Sequence, residues 1–377
     1  MIDTALLGRA RAAAEAIAPL AGRIETDRRL PPDAVAALVG AGVFKLLVPK
    51  IYGGASAHPS TFLAVVEQIA RSDGSAGWCT MIGATSGLMS LHLDEEIARE
   101  VYGPDDAITC GVFAPMGRAV VTDSGYRVSG RWSFASGCEH SQWRMGGTLV
   151  AGELLPSGAP DVRSVLFRAD ETRVIDTWDT SGLRGTGSHD LEVSELEVPR
   201  SRTFSLLTGQ QKHAWCTLPF FGILAGGVAA VGLGIARAAI DSFVTMAKSK
   251  TPPGSKRTLA HRELVQLDVA KAEAKLRSAR SFLFEAMDEA VGTTSDVASL
   301  AARARLRLAA SHAAEEAAAV TASMYQAGGG SAVYSKSPLQ RYFRDAHVVT
   351  HHLMVNATAT TMAGRVLLDV ESDTATL

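Results

Sequence analysis

The chain has 377 residues, 47% of them hydrophobic and 20% charged; that composition excludes a largely disordered protein and, at about 100–200 residues per domain, implies two or three domains. Its 37 Lys and Arg against 39 Asp and Glu leave a formal net charge of -2, too even a balance for the basic footprint of a nucleic-acid or anionic-membrane binder. The four cysteines, Cys79, Cys110, Cys138 and Cys216, are too scattered for a disulfide framework or a zinc knuckle, which points to a reducing, cytoplasmic setting.

The first twenty residues carry Asp3, Arg9, Arg11 and Glu15 and so lack the apolar run of a secretory signal. Residues 1–105 read as a helical domain. Ala12, Ala13, Ile17, Leu20 and Ile24 recur at helical steps, Pro31-Pro32-Asp33 opens a second helix, and Pro59-Ser60-Thr61 opens a third, with Gly53-Gly54-Ala55 as a turn between them. From 106 to 203 the period changes. Ala119-Val120-Val121, Asp123-Ser124-Gly125 and Tyr126-Arg127-Val128 form a strand–turn–strand signal, and 162–168 and 172–176 read as short strands. Leu191 and Val193 alternate, then the phase slips before Leu196 and Val198, which predicts a bulge. The expectation is a small antiparallel sheet or barrel.

From 212 to 377 the pattern is helical again. Residues 214–236 hold no charge and would suffice to cross a bilayer. The stretch also contains Pro219 and five glycines (Gly222, Gly226, Gly227, Gly232, Gly234) and lacks flanking aromatic or basic anchors. It therefore reads as the central helix of a bundle rather than a membrane span. Leu259, Leu264, Leu267, Ala270, Ala274, Leu276, Phe282 and Leu283 lie close to one stripe, 298–327 is alanine-rich, and 338–368 reads as one last long segment. About four long helices make a bundle.

Several residues could carry chemistry. His347 and His351 share a helical face, with His352 beside them, but no acidic ligand accompanies them; packing histidines are the plainer reading and no metal site is expected. Gly182-Leu183-Arg184-Gly185-Thr186-Gly187-Ser188 resembles a phosphate loop in composition, yet strand residues follow it instead of a helix, which excludes a dinucleotide fingerprint. Such a turn still lets backbone approach a ligand. Trp132-Ser133-Phe134-Ala135-Ser136-Gly137-Cys138 ends a strand in hydroxyls and glycine: either a ligand edge or a tight turn. Cys79 and Cys138 read as packing residues, although His140 stands near Cys138.

The order helices, sheet, bundle, with five segments in register, resembles the acyl-CoA dehydrogenase superfamily. The segments are Arg71–Trp78, Gly130–Gly137, Trp178 with 182–188, Gln326-Ala327-Gly328-Gly329-Gly330, and Gln340–His347. The resemblance implies a mainly α fold with a central β domain: N-terminal helices, a middle antiparallel β-barrel and a C-terminal four-helix bundle. The glutamate that dehydrogenases of this superfamily need would fall at or beside Leu353, or near 245–252, and neither place holds an acid; the Arg-x-x-Phe-Gly motif for the adenine half of FAD is also missing.

What remains resembles the two-component flavin-dependent monooxygenases, group D, the oxygenases of phenols, indoles and dibenzothiophene. That branch implies reduced flavin (FMN favoured, FAD possible) and O2 as co-substrate, reacting through a C4a-hydroperoxyflavin to hydroxylate or epoxidise a small aromatic or heteroaromatic substrate. It implies a separate NAD(P)H-dependent flavin reductase and a homotetramer. The residues carried over as catalytic are His352, eight positions after Arg344, and Ser136 near the flavin N5. Those carried over as cofactor-binding are Trp132, Ser136, Gly137, Trp178, Thr186, Gly187, Ser188, Gln326, Gly328, Gly329 and Arg344, with Trp78, Phe220, Phe221 and also Trp215 around the substrate. Other readings of the same fold are an FAD-dependent acyl-CoA dehydrogenase with its base elsewhere, or a non-catalytic ligand-binding member.

Overall fold

The computed structural model describes residues 2–155, 158–205, 219–292 and 298–371, with Thr374 and Leu377; Trp215 and Cys216 lie outside them. Six helices come first: α1 (Thr4–Ile17), α2 (Ala21–Asp27), α3 (Pro32–Gly40), α4 (Pro59–Ser72), α5 (Gly74–Ser86) and α6 (Glu95–Tyr102). The prolines at 32 and 59 stand in first turns, where a missing N–H costs nothing. α4 and α5 are separated by one extended residue, Asp73, whose carboxylate accepts the Ala76 N–H at 2.9 Å and so caps α5. That cap aims Trp78 towards the sheet.

Seven strands follow: β1 (Thr109–Val121), β2 (Gly125–Trp132), β3 (Trp143–Leu154), β4 (Pro160–Arg168), β5 (Arg173–Ile175), β6 (Asp190–Pro199) and β7 (Thr203–Phe204). They lie in the order β5-β6-β2-β1-β3-β4-β7. The β1–β2 hairpin pairs Val121 with Tyr126, as its sequence predicts. The bulge in β6 also stands where the phase slips: Val128 faces Leu196 but Gly130 faces Val193, and Glu195 takes the left-handed conformation. The expected antiparallel barrel is corrected in one respect. β3 runs parallel to β1, so the sheet is mixed. The reason is the irregular excursion of residues 133–142 between β2 and β3, which returns the chain to the far side of β1; that excursion carries Ser136.

The bundle consists of α7 (Phe220–Ser249), α8 (Glu263–Val291), α9 (Leu300–Gly328), α10 (Pro338–Thr350) and α11 (Ala357–Leu367). α7 is the one helix among the described residues apolar and long enough to cross a membrane, and 94% of its most apolar window is buried inside the protein. It is the core helix of the bundle. α9 lies parallel to it: Leu306 packs at Gly222, Ala317 at Gly232, and Gly328 at Met246. The α8 stripe is corrected too, since Leu264 and Leu267 are exposed while Leu276 and Leu283 are buried with Val265, Ala272, Ala279 and Ala286. The segment 338–368 is two helices; the break at His351–Asn356 carries His352.

Close approach of α4 to α7 depends on Gly234, where a Cβ would lie 2.4 Å from Glu67 O and 2.7 Å from Ala70 Cβ. Backbone cannot yield as a flexible side chain does. Gly234→Ala is expected to cost roughly 1–3 kcal/mol through forced separation of the helices. A thermal melt checks this, and an unchanged midpoint would contradict the packing described.

Candidate active site

Three irregular segments meet at one place. The first follows β2. Phe134 sits in the left-handed region at φ 68°, and Gly137 at φ 77°. Ala135 N–H donates to His189 O at 3.0 Å and Gly137 N–H to Thr186 O at 2.9 Å. The second segment is therefore the glycine-rich turn itself, 182–188, docked against the first. Its Leu183, left-handed at φ 49°, donates its N–H to Asp345 Oδ1 at 2.7 Å. The third is the break between α10 and α11.

Side chains from these segments form a chain of contacts. Trp78 Nε1–H donates to Ser136 Oγ at 2.9 Å; Ser136 Oγ lies 2.7 Å from Ser188 Oγ; Ser188 Oγ lies 2.6 Å from Thr186 Oγ1; Thr186 Oγ1–H donates to Leu183 O at 2.8 Å. All four side chains are buried. On its other side Trp78 meets the His352 ring edge-on, centroids 5.4 Å apart.

His352 is half-buried, and its Nδ1 accepts the Met354 N–H at 3.3 Å. Burial, and secondarily the Arg307 charge, pushes its pKa down to about 4. At neutral pH it is uncharged, and with Nδ1 accepting, its proton is on Nε2. Arg307, on α9, is buried, with Nη1 3.4 Å from Phe221 O and 3.0 Å from Met354 Sδ. Phe113, Phe220 and Phe221 form an edge-to-face run, at 5.1 and 5.2 Å between centroids.

The structure thus brings together Trp78, Ser136, Gly137, Thr186, Gly187, Ser188 and His352, and Arg307 ties Phe221 to the same end of the bundle. Trp178 lies at the open side, half-buried, its Nε1–H donating to Leu183 O at 3.1 Å and its carbonyl taking Arg28 Nη1–H at 3.0 Å. Four of the expected cofactor residues stand apart from this cluster within the chain. Trp132 is fully buried inside the sheet, its Nε1–H on Gly147 O at 2.7 Å. The aromatic that reaches out is Phe134, 70% exposed and edge-on to Trp178 at 6.0 Å. Gln326, Gly328 and Gly329 do not join this cluster: α7 and α9 are parallel, so that turn packs by Met246, about 36 Å along α7 from Gly222.

Arg344 braces the glycine turn from behind, binding Glu25 Oε1 at 2.7 Å and reaching Ser181 O. His347 bonds Phe343 O at 2.6 Å, and no metal-binding group of side chains occurs among the described residues. Burial raises the thiol pKa of Cys79 and Cys138, so both are unreactive packing residues.

The cleft suits a flat, polar-edged group such as a flavin. It offers an exposed Phe134 beside a half-buried Trp178, a backbone kept close by glycines, and a hydroxyl with an unused lone pair at Ser136.

Comparison with known proteins agrees. Residues 5–98 match the acyl-CoA dehydrogenase N-terminal domain and residues 226–357 its C-terminal domain. The indole-3-acetate monooxygenase of Pseudomonas putida is 36% identical, over 88% of this chain and 85% of that one. HsaA of Mycobacterium tuberculosis, the oxygenase subunit of a flavin-dependent monooxygenase, is 31% identical over 87% of this chain and 86% of its own. The chain belongs to the flavin-dependent monooxygenases of the acyl-CoA dehydrogenase superfamily. Among solved structures, XiaF from Streptomyces, determined with FADH2 and glycerol, superposes with a TM-score of 0.88 at 25% identity, covering 97% of this chain and 95% of that one. This monooxygenase uses reduced flavin, and an enzyme of this family takes O2 as its second substrate.

Sequence reasoning passed over Phe134, Arg307, Phe113 and Asp345. Phe134 stands inside a motif that had been singled out; an arginine within the alanine-rich stretch of α9 was the available signal for Arg307. Asp345 is buried, and burial raises its pKa to about 7 against the lowering effect of the Leu183 N–H. A carboxyl that protonates more readily in the fold than in the unfolded chain costs stability above about pH 7, and that cost shrinks as pH falls towards 4. Asp345→Asn keeps the acceptor for Leu183. It is expected to raise stability at pH 8 and to change it little at pH 4–5, as read by urea unfolding. An equal effect at both pH values would contradict the assignment.

Proposed function

We propose that this protein is the oxygenase component of a two-component monooxygenase, taking reduced FMN or FAD from a separate NAD(P)H-dependent reductase and oxygenating a small aromatic or heteroaromatic molecule of indole or phenol type. The observation that carries the reading is the convergence on Trp78: its indole N–H on Ser136 and its ring edge against His352. The Pseudomonas putida relative, named for indole-3-acetate, supports an indole-type substrate.

Bound reduced flavin supplies the electrons that activate O2. The chain supplies the surroundings. Phe134 and Trp178 would hold the flavin ring at the open side, with Ser136 at its N5 edge. Phe113, Phe220, Phe221 and Trp78 keep water from the reacting centre and offer aromatic faces to the substrate. His352, neutral with its proton on Nε2, donates a hydrogen bond that orients oxygen or the substrate; its own basicity is too low for it to remain protonated at neutral pH. A dehydrogenase reading lacks its base, because Leu353 is an exposed leucine and no acid occurs at 245–252.

The reading includes a homotetramer and a cytoplasmic setting. Apolar side chains left exposed around α10 and α11 (Val333, Tyr334, Leu353, Leu367, Leu368) support the first. Free buried thiols at Cys79, Cys110 and Cys138 support the second.

The protein premixed anaerobically with reduced flavin and then exposed to O2 should delay the return of oxidised-flavin absorbance relative to free flavin, and with indole or indole-3-acetate should form oxygenated product. Return as fast as in free solution would refute the reading. His352→Ala should divert turnover towards hydrogen peroxide, cutting product per flavin oxidised by roughly tenfold, about 1.4 kcal/mol. Because His352 stays neutral above about pH 4, wild-type coupling should show no step from this group between pH 6 and 8.

A further inference from the structure

The buried hydroxyl row has two ends whose roles are fixed by chemistry. Trp78 Nε1–H is only a donor, and Leu183 O is only an acceptor. Between them each of three hydroxyls owns one proton. Thr186 gives its proton to Leu183 O at 2.8 Å, so it accepts from Ser188 at 2.6 Å; Ser188 then accepts from Ser136 at 2.7 Å. Ser136 has thereby committed its proton inwards, and one of its lone pairs holds the Trp78 N–H at 2.9 Å. Its remaining capacity is a single lone pair. The row can run the other way only by giving up the Thr186–Leu183 bond.

The two redox forms of a flavin differ at this point. The reduced ring carries a proton on N5 and donates there; the oxidised ring has a bare N5 and accepts. On the reading above, which this inference rests upon, Ser136 meets N5.

We infer that Thr186 and Ser188 are positioning residues which, acting through Ser136, make the site select N5-protonated reduced flavin over oxidised flavin. Reduced flavin meets the row in its resting direction. Oxidised flavin needs the Ser136 proton turned outwards, which costs the row one hydrogen bond: Ser136–Ser188, or Thr186–Leu183 if all three hydroxyls reverse. The discrimination from one such bond is about tenfold. No proton leaves the protein in either case; the hydroxyls only turn. The arrangement lets spent flavin leave, which suits an oxygenase that must exchange its flavin each cycle.

The test compares dissociation constants for reduced flavin, measured anaerobically, and for oxidised flavin, in the full chain. Wild type should bind the reduced form more tightly. Thr186→Val, similar in shape but without a hydroxyl, should lower the reduced-to-oxidised preference by about tenfold. Thr186→Ser should restore it. Ser188→Ala cuts the row at its middle and should act in the same direction, which keeps the test available if Thr186→Val does not fold. In a Ser136→Ala background, Thr186→Val should have no further effect on the ratio. A merely structural role for Thr186 would weaken both forms equally and leave the ratio where it was. An unchanged ratio in Thr186→Val or in Ser188→Ala, or a failure of Thr186→Ser to restore it, would overturn the inference while leaving the oxygenase reading intact. Wild type that binds neither form would overturn both.

Discussion

The Leu183 N–H bond to the buried Asp345 carboxyl, 2.7 Å long, joins the sheet to the bundle. Leu183 is held in the left-handed region, so this bond fixes a conformation that leucine does not adopt freely. With Leu183 fixed, its carbonyl is a rigid anchor for Trp178 Nε1 and Thr186 Oγ1 at once. The hydroxyl row is therefore referenced to α10, and α10 also delivers His352 two residues past its end. The two sides of the site, one from the β domain and one from the bundle, share a single point of registration.

Packing around α7 supplies the stiffness that such registration needs. Alanines of α9 and glycines of α7 bring the two helices together along their length, so the start of α7, with Phe220 and Phe221, lies beside Arg307 and the break after α10. Burial, and secondarily the Arg307 guanidinium, keeps His352 uncharged at neutral pH. The Met354 N–H then selects the tautomer with its proton on Nε2, and the oxygenase chemistry depends on that neutral donor.

Much of this was legible in the sequence, for physical reasons that differ by element. The amphipathic and alanine-rich helices, the β1–β2 hairpin and the β6 bulge are local patterns, and their signals survive folding unchanged. Ser136, Thr186, Ser188 and His352 could be named because they stand in motifs of a known family. The errors are non-local. Nothing along β1 or β3 marks them as parallel partners; the path of 133–142 decides it. Trp132 and Phe134 are two residues apart and would share a face on a regular strand; the positive φ of Phe134 is what turns it outwards. The α10–α11 break passes through an apolar, helix-compatible stretch, and Arg307 becomes significant only when three helices meet.

The account stands on where a reduced flavin ring sits. An anaerobic crystal structure of the protein with reduced FMN or FAD measures that directly. The account predicts N5 about 3 Å from Ser136 Oγ, the ring flanked by Phe134 and Trp178, and His352 on the substrate side. A ring bound elsewhere, with Ser136 Oγ beyond about 4 Å of N5 and still bonded only to Trp78 and Ser188, would contradict it.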